Sequence, residues 1–434
     1  MYDVIIIGGG PAGYRAALNL SKRNKRVLLI EKNKLGGTCL NEGCIPTKSI
    51  LNSSHESISF NELVFKRDED VKKLFRGLTY QIDNSGIDYI NGEATIVAKN
   101  DNGVVVNTND KEYCGENLII ATGSKQSVPN IDGLKDALDS GFAITNKELL
   151  SRQNDFPDKI AIIGGGVIGI EFATFLSNIG KKVTIFEYMP RLMNGLLDDD
   201  VETLLIDSLK KKGVNIVLNA KVQEIDNGII YELNGEYNEF ECDMVVLATG
   251  RVANVDGLGL DKIAISFQKC ILTDECCKTN ILGVYACGDV NGRSMLAHVA
   301  YKEAEVAADN ICGINSSINY DNIPSVVFSD PEVAISGLSE RECQTRGIDY
   351  YIKKCSMNYS SMYSIKNPSQ KGLCKLIFNK NDELIGAQLI GNGASELIFV
   401  LYDMIDRKET VDFIKNKIYP HPSIVEIIKE TLVS

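Results

Sequence analysis

Residues 4–31 read VIIIGGGPAGYRAALNLSKRNKRVLLIE, and residues 160–187 read IAIIGGGVIGIEFATFLSNIGKKVTIFE. In each, a short apolar strand (Val4 to Ile7, Ile160 to Ile163) runs into three glycines and then a helix. A second strand (Val27 to Ile30, Val183 to Phe186) ends on an acid, Glu31 or Glu187. First glycine and acid stand 23 residues apart in both copies. Each position has a physical reason. Gly8 and Gly164 make the tight turn, Gly10 and Gly166 let backbone approach a pyrophosphate, and Gly13 and Gly169 let the helix lie close to the strand. The helix N-terminus then faces the phosphates, and the acid can accept from a ribose. One glycine fingerprint is weak evidence; two, each framed by strands and closed by an acid, give an α/β chain with two dinucleotide-binding units. Both copies are followed by a matching strand end, IIATGS at 119–124, with Thr122 and Gly123, and VLATGR at 246–251, with Gly250.

Between the repeats, residues 36–48 read GGTCLNEGCIPTK. Cys39 and Cys44 are close enough to bridge only if the backbone between them is unusually shaped, which Gly43 helps permit. Spacing alone leaves two readings open, a redox couple or two ordinary helix cysteines. Two dinucleotides in one chain with a dithiol between their motifs imply electron transfer between them and to sulfur. The 434-residue chain has room for about three domains. Its net charge of −12 offers no basic surface for nucleic acid or an anionic membrane. The N-terminus reads straight into a strand with no targeting pattern, and no apolar run reaches the ~18 residues of a membrane span, so the expectation is a soluble cytoplasmic protein. The 12 cysteines are scattered and the histidines number three, so most thiols read as core residues and no metal site is expected.

Farther along, 70–84 reads as a helix and 88–114 as an antiparallel meander. A helix over 201–212 is stopped by Gly213, and strands follow near 215–218 and 221–242. A strand ending in Gly288-Asp289 and a helix from about Leu296 to Ile311 suit a return to the first unit. From Ile323 on, strands (325–328, 375–378, 385–389) and helices (339–346, 394–406, 424–431) carry no further glycine fingerprint and read as a third, α+β domain.

With those pieces placed, the chain resembles the pyridine nucleotide-disulfide oxidoreductases, and among them the members acting on dihydrolipoamide. The resemblance runs nearly full length, through GGGPAG, GGTCLNEGCIPTK, IATGS, GGGVIGIE, ATGR, YACGDV, MLAHVA, SDPEVAISG and HPSIVE in the family's order. It implies two Rossmann-like domains, FAD-binding (1–145 and 275–319) and NAD-binding (146–274, inserted), and a C-terminal dimerisation domain (320–434) that makes a homodimer. It implies FAD contacts from Gly8, Gly10, Gly13, Glu31, Lys48, Thr122, Gly123, Gly288, Asp289 and Ala297, and NAD contacts from Gly164, Gly166, Gly169, Glu187 and Gly250. Cys39 would exchange with substrate, Cys44 would lie by the flavin, and Lys48 and Glu171 would pair near its reactive nitrogen. His421, oriented by Glu426, would be the base for Cys39 of the partner subunit. A dithiol near its free pKa of about 8.5 is mostly protonated at neutral pH, so an imidazole must take the proton. His55 reads as structural, and His298 is assigned no acid-base role.

The implied reaction is oxidation of dihydrolipoamide, free or carried by a lipoyl-bearing protein of a multienzyme complex, with reduction of NAD⁺. Glu187 would repel the 2′-phosphate of NADP, and Gly169 also favours NAD; Arg191 points the other way. Two rivals are an NAD(P)H-dependent reductase of a low-molecular-weight disulfide and a non-catalytic FAD-binding subunit. Three departures from the family pattern stand out. The segment between Cys44 and Ala121 is short. Tyr419 takes the place of a second histidine and Ser423 that of a threonine. Cys276-Cys277 matches no redox pair of the family and reads as structural, with a vicinal disulfide as the alternative.

Overall fold

The computed structural model describes residues 1–56 and 58–433. Its first sheet is built on parallel neighbours, in the order Asp88–Asn91, Val27–Glu31, Tyr2–Ile7 and Lys111–Ile120. Register is set by apolar pairs, with Ile7 opposite both Ile30 and Ile120. The two central strands, Tyr2–Ile7 and Val27–Glu31, are apolar over most of their length because both faces are covered; Val4, Ile5 and Ile6 have no exposed surface. The short strand Val284–Ala286 joins Leu118–Ile120 in parallel, so the chain does return to the first unit at the Gly-Asp motif. Residues 88–114 depart from a simple meander: Asp88–Asn91 pairs in parallel with Val27–Glu31, and only Thr95–Asn100, Gly103–Thr108 and Lys111–Ile120 run antiparallel. Asp88–Asn91 follows a helix, which gives the crossover that parallel pairing needs. That helix, Phe60–Asp83, starts ten residues before the expected 70. Its start is a capping box, Ser59 and Glu62 bonding each other's backbone N–H, a signal that local polarity around 66–70 masks.

The second sheet is all parallel, in the order Asn215–Val217, Lys182–Phe186, Lys159–Ile163, Met244–Leu247 and Ala143–Ile144. A three-stranded antiparallel layer over 221–240 packs against it through Phe186, Tyr231 and Phe240. Ala143–Ile144 and the helix Leu134–Ser140 belong to this unit's core, so it begins before the expected division at 145/146. Likewise Leu258, Leu260 and Ile271 pack in the first unit's core, ahead of the expected return at 275. Both crossings lie where Ser124–Gln126 pairs with Arg251–Ala253 in a two-stranded ribbon joining the units.

The third unit is a five-stranded antiparallel sheet, ordered Ser325–Val327, Val333–Gly337, Leu384–Ile390, Leu373–Asn379 and Tyr350–Ser356. The helices Ala394–Asp406 and Ile427–Val433 share its core. The expected helix over 424–431 is split into a single 3₁₀ turn, Ile424–Glu426, and the helix from Ile427. At the junction with the second unit, the fully buried Lys375 ammonium meets Asp198 Oδ2 at 3.0 Å, Asp200 Oδ1 at 2.9 Å and Glu340. Among the described residues no helix is long and apolar enough to cross a membrane, and no cluster of side chains is placed to hold a metal.

Candidate active site

The two glycine turns are built alike. Gly8 has φ +104°, and a Cβ there would lie 2.2 Å from Ala121 O; one on Gly13 would lie 1.8 Å from Gly8 O. In the second copy Gly164 has φ +112° with Ala248 O at 2.4 Å, and Gly169 meets Gly164 O at 2.0 Å. Only glycine allows strand end and helix to meet this closely. The helices Pro11–Ser21 and Val167–Asn178 begin at Gly10 and Gly166 with no side-chain cap. Their first-turn N–H groups therefore lack intrahelical acceptors, the arrangement that receives phosphate. Gly10, Gly166 and the residues after them line one cavity of about 1780 Å³. The same cavity is walled by Glu31, Cys39, Cys44, Lys48 and Asp289, and by Thr122, Gly123, Gly250, Gly288 and Ala297. The uncapped N–H groups and the cradle that a Cβ would fill fit the FAD that the resemblance implies; Gly166, with open space beside it, leaves the second loop approachable by a nicotinamide dinucleotide. Glu187, His421 and Glu426 stand outside that cavity wall.

Both terminal acids also hold their own glycine turn. Glu31 accepts from the N–H of Gly9 at 2.6 Å and of Asn33 at 2.7 Å. Glu187 accepts from Gly165 at 2.5 Å and Met189 at 2.7 Å. Carboxylate oxygens have lone pairs left for ribose hydroxyls. Arg191 is engaged by the protein's own acids, with Asp199 at 2.6 Å and with Glu202.

The dithiol stretch forms two short helices, Gly37–Glu42 and Cys44–Ser53, broken at Gly43 (φ −150°, ψ −110°). A Cβ on Gly43 would stand 3.0 Å from Thr38 O and 3.5 Å from Cys39 Cα, so the glycine lets the chain fold back and bring Cys44 to Cys39. Both residues are thiols here, half-buried, and their side chains hydrogen-bond. That bond, with the nearby Lys48 charge opposing the cost of burial, lowers the Cys44 pKa from 9.0 to about 7. The same bond, with burial, pushes Cys39 far up. Of the two thiols, Cys44 is the one whose anion is favoured, with the Lys48 charge beside it.

Lys48 lies one turn after Cys44 on the same helix face. Its Nζ is 2.8 Å from both oxygens of Glu171 and 4.7 Å from the Phe328 ring centre. Glu171, buried on the second unit's helix, also accepts from Phe328 N–H at 3.1 Å. This one carboxylate ties all three units together at the cavity. Asp289 accepts from Ser124 Oγ and lies 4.0 Å from Arg251 Nε. Arg251 donates to Ser124 Oγ and O, both at 2.7 Å, and burial lowers its pKa. Ser124 and Arg251 stand inside the quoted strand ends with no local signal of a role; the Ser124–Gln126 and Arg251–Ala253 pairing is what brings them together.

In the third unit, His421 Nδ1 is 2.7 Å from Glu426 Oε1, and Glu426 Oε2 accepts from Ser423 N–H at 2.8 Å. The Ser423 and His421 bonds hold the Glu426 pKa below its ordinary value. The His421 side chain is 74 % exposed; with Nδ1 on Glu426, its Nε2 is the nitrogen left for another molecule. Tyr419 packs on the third core and donates its hydroxyl to Ile414 O at 3.1 Å. His298 is bound through Nε2 to Pro324 O at 2.8 Å, and His55 lies 3.7 Å from Asp330. Cys276, Cys277 and Cys287 are free thiols, and Cys277 and Cys287, neither with exposed surface, hydrogen-bond each other.

The profile of the family described as Pyridine nucleotide-disulphide oxidoreductase matches residues 2–304, and that of its dimerisation domain matches 323–432. Dihydrolipoyl dehydrogenase of Mycoplasma genitalium is 34 % identical over 99 % of this chain and 97 % of its own. The Geobacillus stearothermophilus enzyme of the same name is 35 % identical over 99 % and 95 %. Among solved structures, the HOCl-induced flavoprotein disulfide reductase of Escherichia coli superposes with a TM-score of 0.90 at 26 % identity, over 100 % of this chain and 99 % of its own.

Proposed function

The chain belongs to the pyridine nucleotide-disulphide oxidoreductase family, and on that premise we propose that it acts as a homodimeric dihydrolipoyl dehydrogenase. It is an FAD-dependent disulfide oxidoreductase that reduces NAD⁺. The observation that carries the reading is the hydrogen-bonded Cys39–Cys44 pair in one cavity with the Gly8–Gly13 turn and the Lys48–Glu171 ion pair. Gly8, Gly10, Gly13, Thr122, Gly123, Gly288, Asp289 and Ala297 would hold FAD, and Gly164, Gly166, Gly169, Glu187 and Gly250 would hold NAD. Bound FAD supplies two-electron exchange between the dithiol and the nicotinamide.

The protein's own part follows from its residues. In the oxidised form Cys39 and Cys44 share a disulfide. His421 takes a proton from a substrate thiol at Nε2, and Glu426 holds the tautomer and stabilises the imidazolium, the division of labour of a triad. The substrate thiolate attacks Sγ of Cys39 of the partner subunit. A mixed disulfide forms, the Cys39–Cys44 bond breaks, and Cys44 leaves as a thiolate beside Lys48. The second substrate thiol attacks the substrate sulfur of the mixed disulfide as its proton passes to the departing Cys39 sulfur, while His421 keeps the first proton as an imidazolium held by Glu426. The cyclic disulfide is released and Cys39 becomes a thiol. The substrate dithiol would be lipoyl, free or protein-borne. Against an NADPH-driven reductase, the ribose position offers the Glu187 carboxylate, and the nearby guanidinium of Arg191 is already neutralised.

The test is Cys44→Ser in the purified holoprotein. Dihydrolipoamide oxidation should vanish while FAD is retained; a variant with full lipoamide activity would overturn the assignment.

A further inference from the structure

At three loops of this fold a glycine N–H is held by a buried glutamate: Gly9 by Glu31, Gly165 by Glu187, and Gly288 by Glu303. The first two belong to the fingerprints. The third does not, and Glu303 lies on the helix Ala297–Ile311 with no exposed surface. Its Oε2 accepts from Gly288 N–H at 2.5 Å and its Oε1 from the Tyr320 hydroxyl at 2.7 Å. Asn291 hydrogen-bonds it as well, and Arg293 stacks over the Tyr320 ring at 4.8 Å. Gly288 sits at φ +79°, a conformation other residues rarely adopt, and a Cβ there would stand 3.2 Å from Ala12 Cβ on the first helix. The next residue is Asp289, whose carboxylate lines the cavity.

A buried carboxylate with no cationic partner is costly unless its lone pairs are filled. Burial does push the Glu303 pKa up, while its hydrogen bonds to Asn291, Tyr320 and Gly288 pull it down. The carboxylate is thus kept at a cost, and what it secures is the backbone N–H that begins the Gly288–Asp289 turn. A strand end in this left-handed conformation has no ladder partner for that N–H, and Glu303 is its acceptor.

We propose that Glu303 is a positioning residue for FAD, which fixes the Gly288–Asp289 turn so that Asp289 faces the cofactor, and that Tyr320 orients it. This rests on the FAD reading above. In Glu303→Gln a single amide oxygen must serve donors that converged on two carboxylate oxygens, so the charge-assisted bond to Gly288 is lost.

The experiment is fluorescence titration of FAD into folded apoprotein, checked by circular dichroism, for wild type, Glu303→Gln, Glu303→Ala and Tyr320→Phe. The expected result is an FAD Kd raised about tenfold in Glu303→Gln, more in Glu303→Ala, and about threefold in Tyr320→Phe. An unchanged Kd in Glu303→Gln overturns the inference. If that variant does not fold, Tyr320→Phe decides, and an unchanged Kd there overturns it equally. Wild-type protein that takes up no FAD would instead overturn the proposed function, so the two failures are distinguishable.

Discussion

Replacing Lys48 with methionine should move the titration of Cys44 upward. In the reduced protein Cys44 is held at about 7 against an ordinary 9.0, which favours its thiolate at neutral pH. The Cys39 hydrogen bond contributes most and Lys48 next, against the cost of burial. Removing Lys48 also leaves Glu171, 4 % exposed in its side chain, with an unpaired charge facing the thiolate. Both changes disfavour the anion, and a loss of about 1.4 kcal/mol lowers the thiolate-to-thiol ratio about tenfold. The assay is peptide-resolved mass spectrometry of Cys44 after brief iodoacetamide treatment across a pH series. A thiol protonates as pH falls through its pKa, so wild-type labelling should be half-maximal near pH 7 and that of Lys48→Met at a higher pH, toward the ordinary value. Coincident curves would refute the reasoning, as would a wild-type midpoint near 9.

Three other outcomes follow from particular contacts. His421→Gln should lower kcat about a hundredfold or more while FAD content stays unchanged, because His421 lies outside the cavity wall; steady-state rates and the flavin spectrum read the two halves. Gly13→Ala places a methyl 1.8 Å from Gly8 O and should yield protein without flavin; stoichiometric FAD in the variant would contradict the packing argument. Lys375→Met leaves the buried Asp198 carboxylate and that of Glu340 without their cation at the junction of the second and third units, while Asp200 keeps Lys354, and should cost about 3–5 kcal/mol in denaturant unfolding.

What the sequence made legible was local and repeated. The two fingerprints could be read because each glycine has its own steric reason, and the Gly8, Gly13, Gly164 and Gly169 close approaches bear those reasons out. The return of Val284–Ala286 to the first sheet followed from the strand-Gly-Asp pattern. What stayed hidden depended on pairing across distance. Asp88–Asn91 is mostly exposed and carries no apolar run, so its parallel pairing with Val27–Glu31 left no periodic signal. The unit boundaries fell elsewhere because short segments, Ala143–Ile144 and Leu258 to Ile271, contribute to a core set by other strands. Ser124, Arg251 and Glu303 each act through a partner more than 14 residues away, and nothing in their own neighbourhoods marks them.

The most direct test of the central claim is the rate of NADH formation, followed at ~340 nm, when the yellow holoprotein is mixed with dihydrolipoamide and either NAD⁺ or NADP⁺. The account predicts rapid reduction of NAD⁺ and little of NADP⁺, since Arg191, four residues after Glu187, is already held by Asp199 and Glu202. Preference for NADP⁺, or bound flavin with no reduction of either nucleotide by dihydrolipoamide, would contradict it.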